Sequence, residues 1–372
     1  MRRTELAIVG AGPAGISAAL EAASHGVKVD VVDRADRIGG QLVKQTHKFF
    51  GWHEKSAGAR GIVIARQMEE AVKANPCITF LGSTEALGYY DDGTLLIETP
   101  EGITGLRCDK LLVAAGASER MLLFPGNDLP GVYGAGAVQT LMNVHGVRPG
   151  NSVLMVGSGN IGLIVSYQLV QAGVHVAAVV EALPTIGGYA VHAAKIRRLG
   201  IPILTRHTVK QAFGKDQVEG VTLWELDGYW RGIPGTERDM AVDVVCLATG
   251  LTPLGELLWQ AGAEMKYIPE LGGFVPVHDE NMETTAKGVY VAGDVAGIEE
   301  ASTAMAAGRL AGLSAAYSLG KVAADEYSRK RAAISAELEG LRSGPAGEKI
   351  RIGLAKLRNE SGKMRNERRA GA

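Results

Sequence analysis

Three glycines near the start of the chain have the spacing of a loop that binds a pyrophosphate. Gly10, Gly12 and Gly15 form a G-x-G-x-x-G motif between an apolar run that starts at Leu6 and an alanine-rich, helix-prone segment. In such a motif the first glycine permits the turn, the second lets backbone approach the phosphates, and the third lets the helix pack on the sheet. Asp33 ends the next strand-like run, where a carboxylate accepts hydrogen bonds from an adenosine ribose. The pattern predicts a dinucleotide site.

The same pattern recurs in the middle of the chain. Gly157, Gly159 and Gly162 follow a second apolar run, and the strand-like segment after the next helix ends at Glu181. A carboxylate pairs with a free ribose 2′-hydroxyl and repels a 2′-phosphate. Since no arginine follows Glu181 until Arg197, the second site is predicted to favour NAD(H) over NADP(H).

Further strand-like runs end in small or acidic residues that would lie at the same sheet edge. One run ends in Ala115-Gly116, another in Thr249-Gly250, and a third in Gly293-Asp294 before a small-residue helix that starts near Ala301. Asp294 lies beyond the pairing of its own strand, and the next helix presents free N–H groups. Both features suit a reduced flavin, whose ring carries negative charge.

Strands alternating with helices indicate an α/β protein with two Rossmann-like dinucleotide-binding domains, the second inserted into the first. The predicted first domain is discontinuous, residues 1–117 and 247–324, and the second is residues 118–246. Residues 325–372 form a basic segment with two helix-prone stretches. Three interpretations stay open for it: a solvated helical tail, a segment that docks on a partner subunit, or one that binds nucleic acid or an anionic membrane.

Composition excludes several classes of function. A net charge of −1 over 372 residues argues against nucleic acid as the main partner. The three cysteines are far apart and form neither C-x-x-C nor metal-ligand spacing, which argues against a redox disulfide, an iron–sulfur cluster and a zinc site. We expect no bound metal. No apolar run approaches the roughly 20 residues of a transmembrane segment. We expect a cytoplasmic protein without a signal peptide.

Residues 44–53 place aromatic and basic side chains close together. The segment could line a flavin ring or a substrate cleft, or it could be a surface loop held by buried aromatic residues. His47, Lys48 and His53 are candidates for catalytic residues. The catalytic residues are otherwise unknown, because a flavin would carry the chemistry itself.

In this order the motifs resemble those of flavoproteins of the pyridine nucleotide–disulfide oxidoreductase class, over roughly residues 4 to 320. The resemblance implies FAD at the first loop, NAD(P)H at the second, and Asp294 at the ribityl chain or pyrophosphate of FAD. The residues predicted to contact FAD are Gly10, Gly12, Pro13, Ala14, Gly15, Asp33, Arg34, Gly40, Gln41, Leu42, Ala115, Gly116, Gly293, Asp294, Ala301 and Ser302. Those predicted to contact NAD are Gly157, Gly159, Asn160, Ile161, Gly162, Glu181, Thr249 and Gly250.

The chain departs from the thioredoxin-reductase and glutathione-reductase members, because it lacks their redox C-x-x-C, and we expect no long C-terminal dimerisation domain. Residues 129–142, 48–51 and 58–61 look more like the α-type subunits of dye-linked proline or hydroxyproline dehydrogenase, opine oxidase, hydrogen cyanide synthase and sarcosine oxidase. In those complexes a second flavoprotein subunit, resembling amino-acid oxidases, holds the substrate.

We therefore expect an FAD-dependent oxidoreductase that passes hydride or electrons between NAD(H) and a partner flavoprotein subunit or small electron carrier. It would be one subunit of a hetero-oligomeric amino-acid or amine dehydrogenase. Two alternatives stay open: a stand-alone amine or amino-acid dehydrogenase, and a scaffold subunit whose nucleotide sites are structural.

Overall fold

The computed structural model describes residues 1–48, 58–344 and 347–358, and these fall into two compact units. Unit 1 contains the described residues of Met1–Val43, Lys48–Ser118 and Thr252–Ala372. Unit 2 contains Lys44–His47 and Glu119–Leu251. Because unit 1 resumes after unit 2, the second unit is inserted into the first along the chain.

The strands are β1 (Arg2–Val9), β2 (Val29–Val32), β3 (Ile78–Leu81), β4 (Glu85–Tyr89), β5 (Thr94–Thr99), β6 (Gly102–Val113), β7 (Ala117–Glu119), β8 (Val132–Gly134), β9 (Ser152–Val156), β10 (His175–Glu181), β11 (Ile203–Thr205), β12 (His207–Phe213), β13 (Gly220–Glu225), β14 (Arg238–Met240), β15 (Val244–Leu247), β16 (Leu251–Pro253), β17 (Met265–Ile268), β18 (Gly273–Pro276) and β19 (Val289–Val291). The α-helices are α1 (Pro13–Ser24), α2 (Gly61–Lys73), α3 (Ala135–Asn143), α4 (Asn160–Gln171), α5 (Ala190–Arg198), α6 (Glu256–Gln260), α7 (Ala301–Ser318) and α8 (Ala324–Leu341). Residues 348–358 are also helical.

Unit 1 is built on a seven-stranded sheet in which β1, β2, β3, β6 and β19 are parallel. Four of these strands end in register, because Val9 is level with Val32 and Val113, and Val113 is level with Val291. Their carboxyl ends therefore start four loops from one edge of the sheet. In open α/β sheets, ligands bind beyond this edge.

Two long helices of unit 1 approach each other closely because glycines face the neighbouring backbone. A Cβ atom on Gly308 of α7 would lie 2.1 Å from the carbonyl oxygen of Ala14 in α1. One on Gly312 would lie 2.3 Å from that of Ala18. A larger residue at either glycine would force α1 and α7 apart.

The described part of the basic C-terminal segment packs against unit 1, which differs from a solvated tail. Ile334 and Leu338 of α8 are buried, and Leu357 in the following helix is buried among residues that include Leu271 and Val275. Burial of these apolar side chains explains why the segment folds onto its own unit.

Unit 2 repeats the plan with a five-stranded parallel sheet in the order β11-β10-β9-β15-β8. Val156 is level with Val180 and Leu247, so the loops after β9, β10 and β15 also start from one edge. A three-stranded antiparallel sheet, β12-β13-β14, completes the unit. The parallel strands of the two main sheets confirm the predicted α/β class with Rossmann-like domains.

The sequence predicts a helix from Leu163 to Ala172 after the second glycine loop, but α4 begins three residues earlier, at Asn160, immediately after Gly159. The amphipathic pattern from Gly61 to Val72 predicts a second helix, which α2 confirms. Across the described residues, no helix combines the length and apolar character required to cross a bilayer.

Candidate functional site

The first glycine loop has room for a ligand at one glycine and no room for a side chain at the other two. A Cβ on Gly10, whose φ is +109°, would lie 2.2 Å from the carbonyl oxygen of Ala114. One on Gly15 would lie 1.8 Å from the carbonyl oxygen of Gly10. At Gly12 the nearest atom would be Cα of Gly40 at 4.0 Å, so this backbone faces open space.

The helices that follow the two glycine loops begin without a side-chain cap. Among the described residues, no side chain bonds the N–H groups at the start of α1 or α4, which follow Gly12 and Gly159. Helix α3 also begins after a glycine, but there Glu119 accepts hydrogen bonds from the N–H groups of Gly136 and Ala137. The first turns of α1 and α4 thus keep donors for an anion, whereas that of α3 is occupied.

Asp33 is held beside the first loop by backbone donors. Its Oδ2 accepts a hydrogen bond from the N–H of Ala11 at 2.6 Å, and its Oδ1 accepts one from Ala35 at 2.8 Å. Each carboxylate oxygen has further acceptor capacity, so two ribose hydroxyl groups could still bond the same side chain.

Asp294 follows β19 at the same sheet edge. A Cβ on its neighbour Gly293 would lie 2.8 Å from Cβ of Ala14, which places the Asp294 loop against the start of α1. The N–H of Glu299 donates to Oδ1 of Asp294 at 3.3 Å. Burial raises the pKa of Asp294 to about 6, so this carboxyl changes charge close to neutral pH.

The other residues predicted for the first site have different environments. A Cβ on Gly10 would also lie 3.2 Å from the N atom of Ala115, so the turn after β6 meets the loop. The side chains of Arg34 and Gln41 are exposed, whereas that of Leu42 is fully buried in the core of unit 1. Ala301 and Ser302 begin α7, Pro13 begins α1, and Gly116 has a φ of +79°.

The second loop reproduces the close packing of the first. A Cβ on Gly157, whose φ is +106°, would lie 2.3 Å from the carbonyl oxygen of Ala248. One on Gly162 would lie 2.1 Å from the carbonyl oxygen of Gly157. A Cβ on Gly159 would meet no atom within 4 Å, so this glycine, like Gly12, faces open space.

Glu181 is bonded in the same way as the acid of the first loop. Its Oε2 accepts a hydrogen bond from the N–H of Ser158 at 2.9 Å, and its Oε1 accepts one from Leu183 at 3.0 Å. The acid of each unit therefore binds the residue after the first loop glycine and the residue two positions beyond itself.

The remaining residues predicted for the second site surround this loop. The hydroxyl of Thr249 donates to the carbonyl of Arg120, whose N–H donates to the carbonyl of Gly250. The Asn160 side chain accepts a hydrogen bond from the N–H of Tyr189 at 2.8 Å. The side chain of Ile161 is exposed.

The turn at residues 186–188, which packs against the second glycine loop, was not predicted from the sequence. The N–H of Gly188 donates to the carbonyl of Ser158 at 2.8 Å, much as the N–H of Gly39 donates to that of Ala11 at 2.9 Å in unit 1. The signal was available, because an Ile-Gly-Gly sequence follows both acids after four intervening residues, at 38–40 and at 186–188.

The three catalytic candidates of residues 44–53 lie in different places. His47 belongs to unit 2, and its pKa is lowered by burial and by the nearby charges of His192 and Lys195. Lys48 is exposed and forms a backbone bridge with Arg60 in unit 1. His53 lies outside the described residues, so its role stays a prediction.

Comparison with known sequences places these loops in a family. A family model described as pyridine nucleotide-disulphide oxidoreductase matches residues 4–308. The chain is 29% identical to an opine oxidase subunit from Agrobacterium tumefaciens over 84% of its own length and 65% of that protein. It is 27% identical to hydrogen cyanide synthase subunit HcnB of Pseudomonas protegens, over 82% and 69% of the two chains. It is 29% identical to the alpha subunit of sarcosine oxidase from Rhizobium meliloti, over 82% and 29%.

Solved structures share the fold. L-proline dehydrogenase from P. horikoshii matches with a TM-score of 0.69 and 24% identity, over 91% of this chain and 59% of that one. Thioredoxin reductase from T. acidophilum matches with a TM-score of 0.70 and 22% identity, over 86% and 99%. The chain spans less than two-thirds of the opine oxidase relative and less than a third of the sarcosine oxidase relative. It belongs to the pyridine nucleotide-disulphide oxidoreductase family, a family of FAD-dependent oxidoreductases.

Proposed function

We propose that this chain holds FAD at the first loop and NAD(H) at the second, and passes hydride or electrons between NAD(H) and a partner. One observation carries the proposal: each unit contains an uncapped helix start, an open loop glycine and a fixed carboxylate at the same sheet edge. Together these groups fit the pyrophosphate and the adenosine ribose of a dinucleotide.

The residues of unit 1 fit FAD. Gly12 leaves space for the pyrophosphate, and the N–H groups that begin α1 would bond its oxygens. Asp33, already fixed by Ala11 and Ala35, would accept hydrogen bonds from the ribose. Asp294 would lie at the ribityl chain or pyrophosphate, where its raised pKa lets it donate or accept a proton near neutral pH.

FAD, when bound, supplies two-electron hydride chemistry, and the protein orients the groups that react. The chain's own contribution at unit 2 is selection of the pyridine nucleotide. The Glu181 carboxylate would bond a free 2′-hydroxyl and repel a 2′-phosphate, which supports NAD(H) over NADP(H).

A partner would accept or supply the electrons. Several relatives are named as subunits, which supports a role for this chain as one subunit of a hetero-oligomer. The proposed partner is a second flavoprotein subunit of the amino-acid-oxidase type, a small electron carrier, or both. The proposed reaction of the assembly is the oxidation of an amino acid or another amine.

Anaerobic reduction of the flavin tests the hydride step. Purified chain reconstituted with FAD is mixed with one equivalent of NADH under nitrogen, and the visible absorbance of the flavin is recorded. The proposal predicts that NADH bleaches the flavin and that NADPH does so far more slowly. Failure of NADH to bleach the flavin would overturn hydride transfer between the two cofactors.

A second candidate is a scaffold subunit whose nucleotide at the second loop is structural. The observation that favours it is the cysteine pattern, because the sequence contains no C-x-x-C motif and Cys108 and Cys246 are buried, so neither forms the redox disulfide that would receive electrons. The nucleotides released when the purified chain is denatured distinguish the two. ADP or ATP in place of NAD(H) would favour the scaffold.

A further inference from the structure

Ser158 connects the acid of the second loop to the turn that closes on it. Its side chain is fully buried, and its hydroxyl donates a hydrogen bond to Oε2 of Glu181 at 2.6 Å. The same hydroxyl accepts one from the N–H of Gly187 at 3.1 Å, and the Ser158 carbonyl accepts one from Gly188 at 2.8 Å. One residue therefore fixes both the carboxylate and the turn.

The first loop lacks this hydroxyl. Ala11 occupies the position that corresponds to Ser158, and its backbone alone bonds Asp33 and Gly39. The turn of unit 1 is thus tied to its loop by the main chain, whereas that of unit 2 has an additional side-chain bond. Of the two glycine loops, only the second therefore has a side-chain hydroxyl that bonds both its acid and its turn.

The turn of unit 2 lies directly against the loop. A Cβ on Gly188 would lie 2.8 Å from Cδ1 of Leu163, 2.9 Å from the carbonyl oxygen of Ser158 and 3.0 Å from the N atom of Asn160. A Cβ on Gly187 would lie 3.9 Å from Cα of Gly159, the open glycine of the loop. Only glycine fits at position 188 without displacing the loop.

A fixed carboxylate selects nucleotides more sharply than a mobile one. Oε2 of Glu181 receives hydrogen bonds from both the N–H and the hydroxyl of Ser158, and Oε1 receives one from Leu183. If the hydroxyl bond were absent, the carboxylate could rotate out of the position in which it would bond a free 2′-hydroxyl, whereas a 2′-phosphate has no bond to it that could be lost. Loss of the bond should therefore cost affinity for a free 2′-hydroxyl and leave affinity for a 2′-phosphate nearly unchanged.

We propose that Ser158 is the positioning residue that gives the second site its selectivity for adenine nucleotides with a free ribose 2′-hydroxyl. It does so by holding Glu181 and the turn at residues 186–188 in place. This inference rests on the proposed function, which assigns an adenine nucleotide to the second loop.

Calorimetric titration of the full chain with ADP-ribose and with 2′-phospho-ADP-ribose tests the role of Ser158. Because S158A releases the carboxylate that would bond the 2′-hydroxyl, it should weaken ADP-ribose binding about tenfold. Binding of 2′-phospho-ADP-ribose should change by less than about twofold, so the selectivity ratio should fall. S166A is the matched control, because its equally buried hydroxyl donates to the carbonyl of Gly162 within α4.

Several results would overturn the proposal. Equal weakening of both ligands in S158A would mean a merely structural role, and unchanged binding of both would mean no role. Wild-type protein that binds neither ligand would also refute it. Since S158A reproduces the alanine found at Ala11, we expect it to fold. Should it fail to fold, S158C, whose thiol is a much weaker hydrogen-bond donor, must show the same loss of selectivity.

Failure of the proposed hydride transfer would give a different result. The titrations do not involve the flavin, so protein that binds ADP-ribose selectively but is not bleached by NADH would refute hydride transfer and leave the role of Ser158 standing.

Discussion

Arg342 donates two hydrogen bonds to the carboxylate of Glu299, from Nε at 2.9 Å and from Nη2 at 2.6 Å. The side chains of the pair are only 16% and 14% exposed. Since the N–H of Glu299 bonds Asp294, the pair links the segment after α8 to the loop that would contact FAD. The C-terminal segment is thereby part of the support for this loop.

Removal of the guanidinium should destabilise the protein. We expect R342A to lower the free energy of unfolding by about 3 kcal/mol, because it leaves the Glu299 carboxylate buried without its partner. K73A is the control, since Lys73 pairs with Glu69 on the exposed face of α2, and its loss should cost about 0.5 kcal/mol or less. Urea denaturation measures both, and equal effects would contradict a supporting role for Arg342.

Asp294 should make the stability of flavin-free protein depend on pH. Burial raises its folded-state pKa to about 6, above the unfolded value of about 4. The folded state therefore binds the proton more tightly, and this contribution is fully present below about pH 4 and lost as the pH rises through about 6. Below about pH 4, protonation of Asp294 stabilises the folded state by about 3 kcal/mol relative to high pH.

Substitution of the carboxyl group isolates this effect. In the unmodified protein, the contribution of Asp294 makes the free energy of unfolding fall as the pH rises from about 4 to 6. In D294N this fall should be smaller when denaturation is measured at each pH. D243N is the control, because the pKa of Asp243 is shifted in the opposite direction from that of Asp294. Burial opposes ionisation of the Asp243 carboxyl, but hydrogen bonds from Ser152 and Asn151 lower its pKa overall. An unaltered pH profile in D294N would show that Asp294 does not titrate in this range.

The features that the sequence predicted well are local. The glycine spacing at Gly157 and Gly159, the strand before it and the acid at Glu181 all follow from short-range backbone requirements, so their types and order could be predicted. The sheet then brought each acid to its loop, because parallel strands that end in register start their loops from one edge.

The features that the sequence did not predict depend on contacts between distant residues. Glu119 accepts a hydrogen bond from the start of α3, although it lies seventeen positions earlier in the chain than Gly136. The Gly-rich sequence at the start of that helix does not reveal this contact. The contact of Gly187 with Ser158 and the pair formed by Arg342 and Glu299 likewise require the tertiary structure. The composition of the C-terminal segment indicated its basic charge but not its burial.

Two of the three cysteines should resist alkylation. Burial raises the pKa of Cys108 to about 12 and also raises that of Cys246, so both stay protonated at neutral pH. Cys77 is half-buried. Mass spectrometry after brief iodoacetamide treatment should find Cys77 modified first, and the other two only after unfolding. Rapid modification of Cys108 in folded protein would contradict the buried position.

Substitutions at the two open glycines, Gly12 and Gly159, should affect the two proposed nucleotide sites independently. In G12A the added methyl group fits the folded chain, because its nearest neighbour would be 4.0 Å away, yet it occupies the space that a pyrophosphate would take. We expect G12A to retain its unfolding midpoint and lose FAD affinity at least about tenfold, while ADP-ribose binding at the second loop is kept. G159A should show the reverse.

G10A is the contrasting control, because its Cβ would lie 2.2 Å from the carbonyl of Ala114 and its φ is strained for alanine. It should lower the unfolding midpoint itself, since the folded backbone cannot accept the methyl group. Fluorescence titration with FAD, calorimetry with ADP-ribose and thermal unfolding measure the three variants. If G12A weakened both ligands equally, the assignment of one nucleotide to each glycine loop would be wrong.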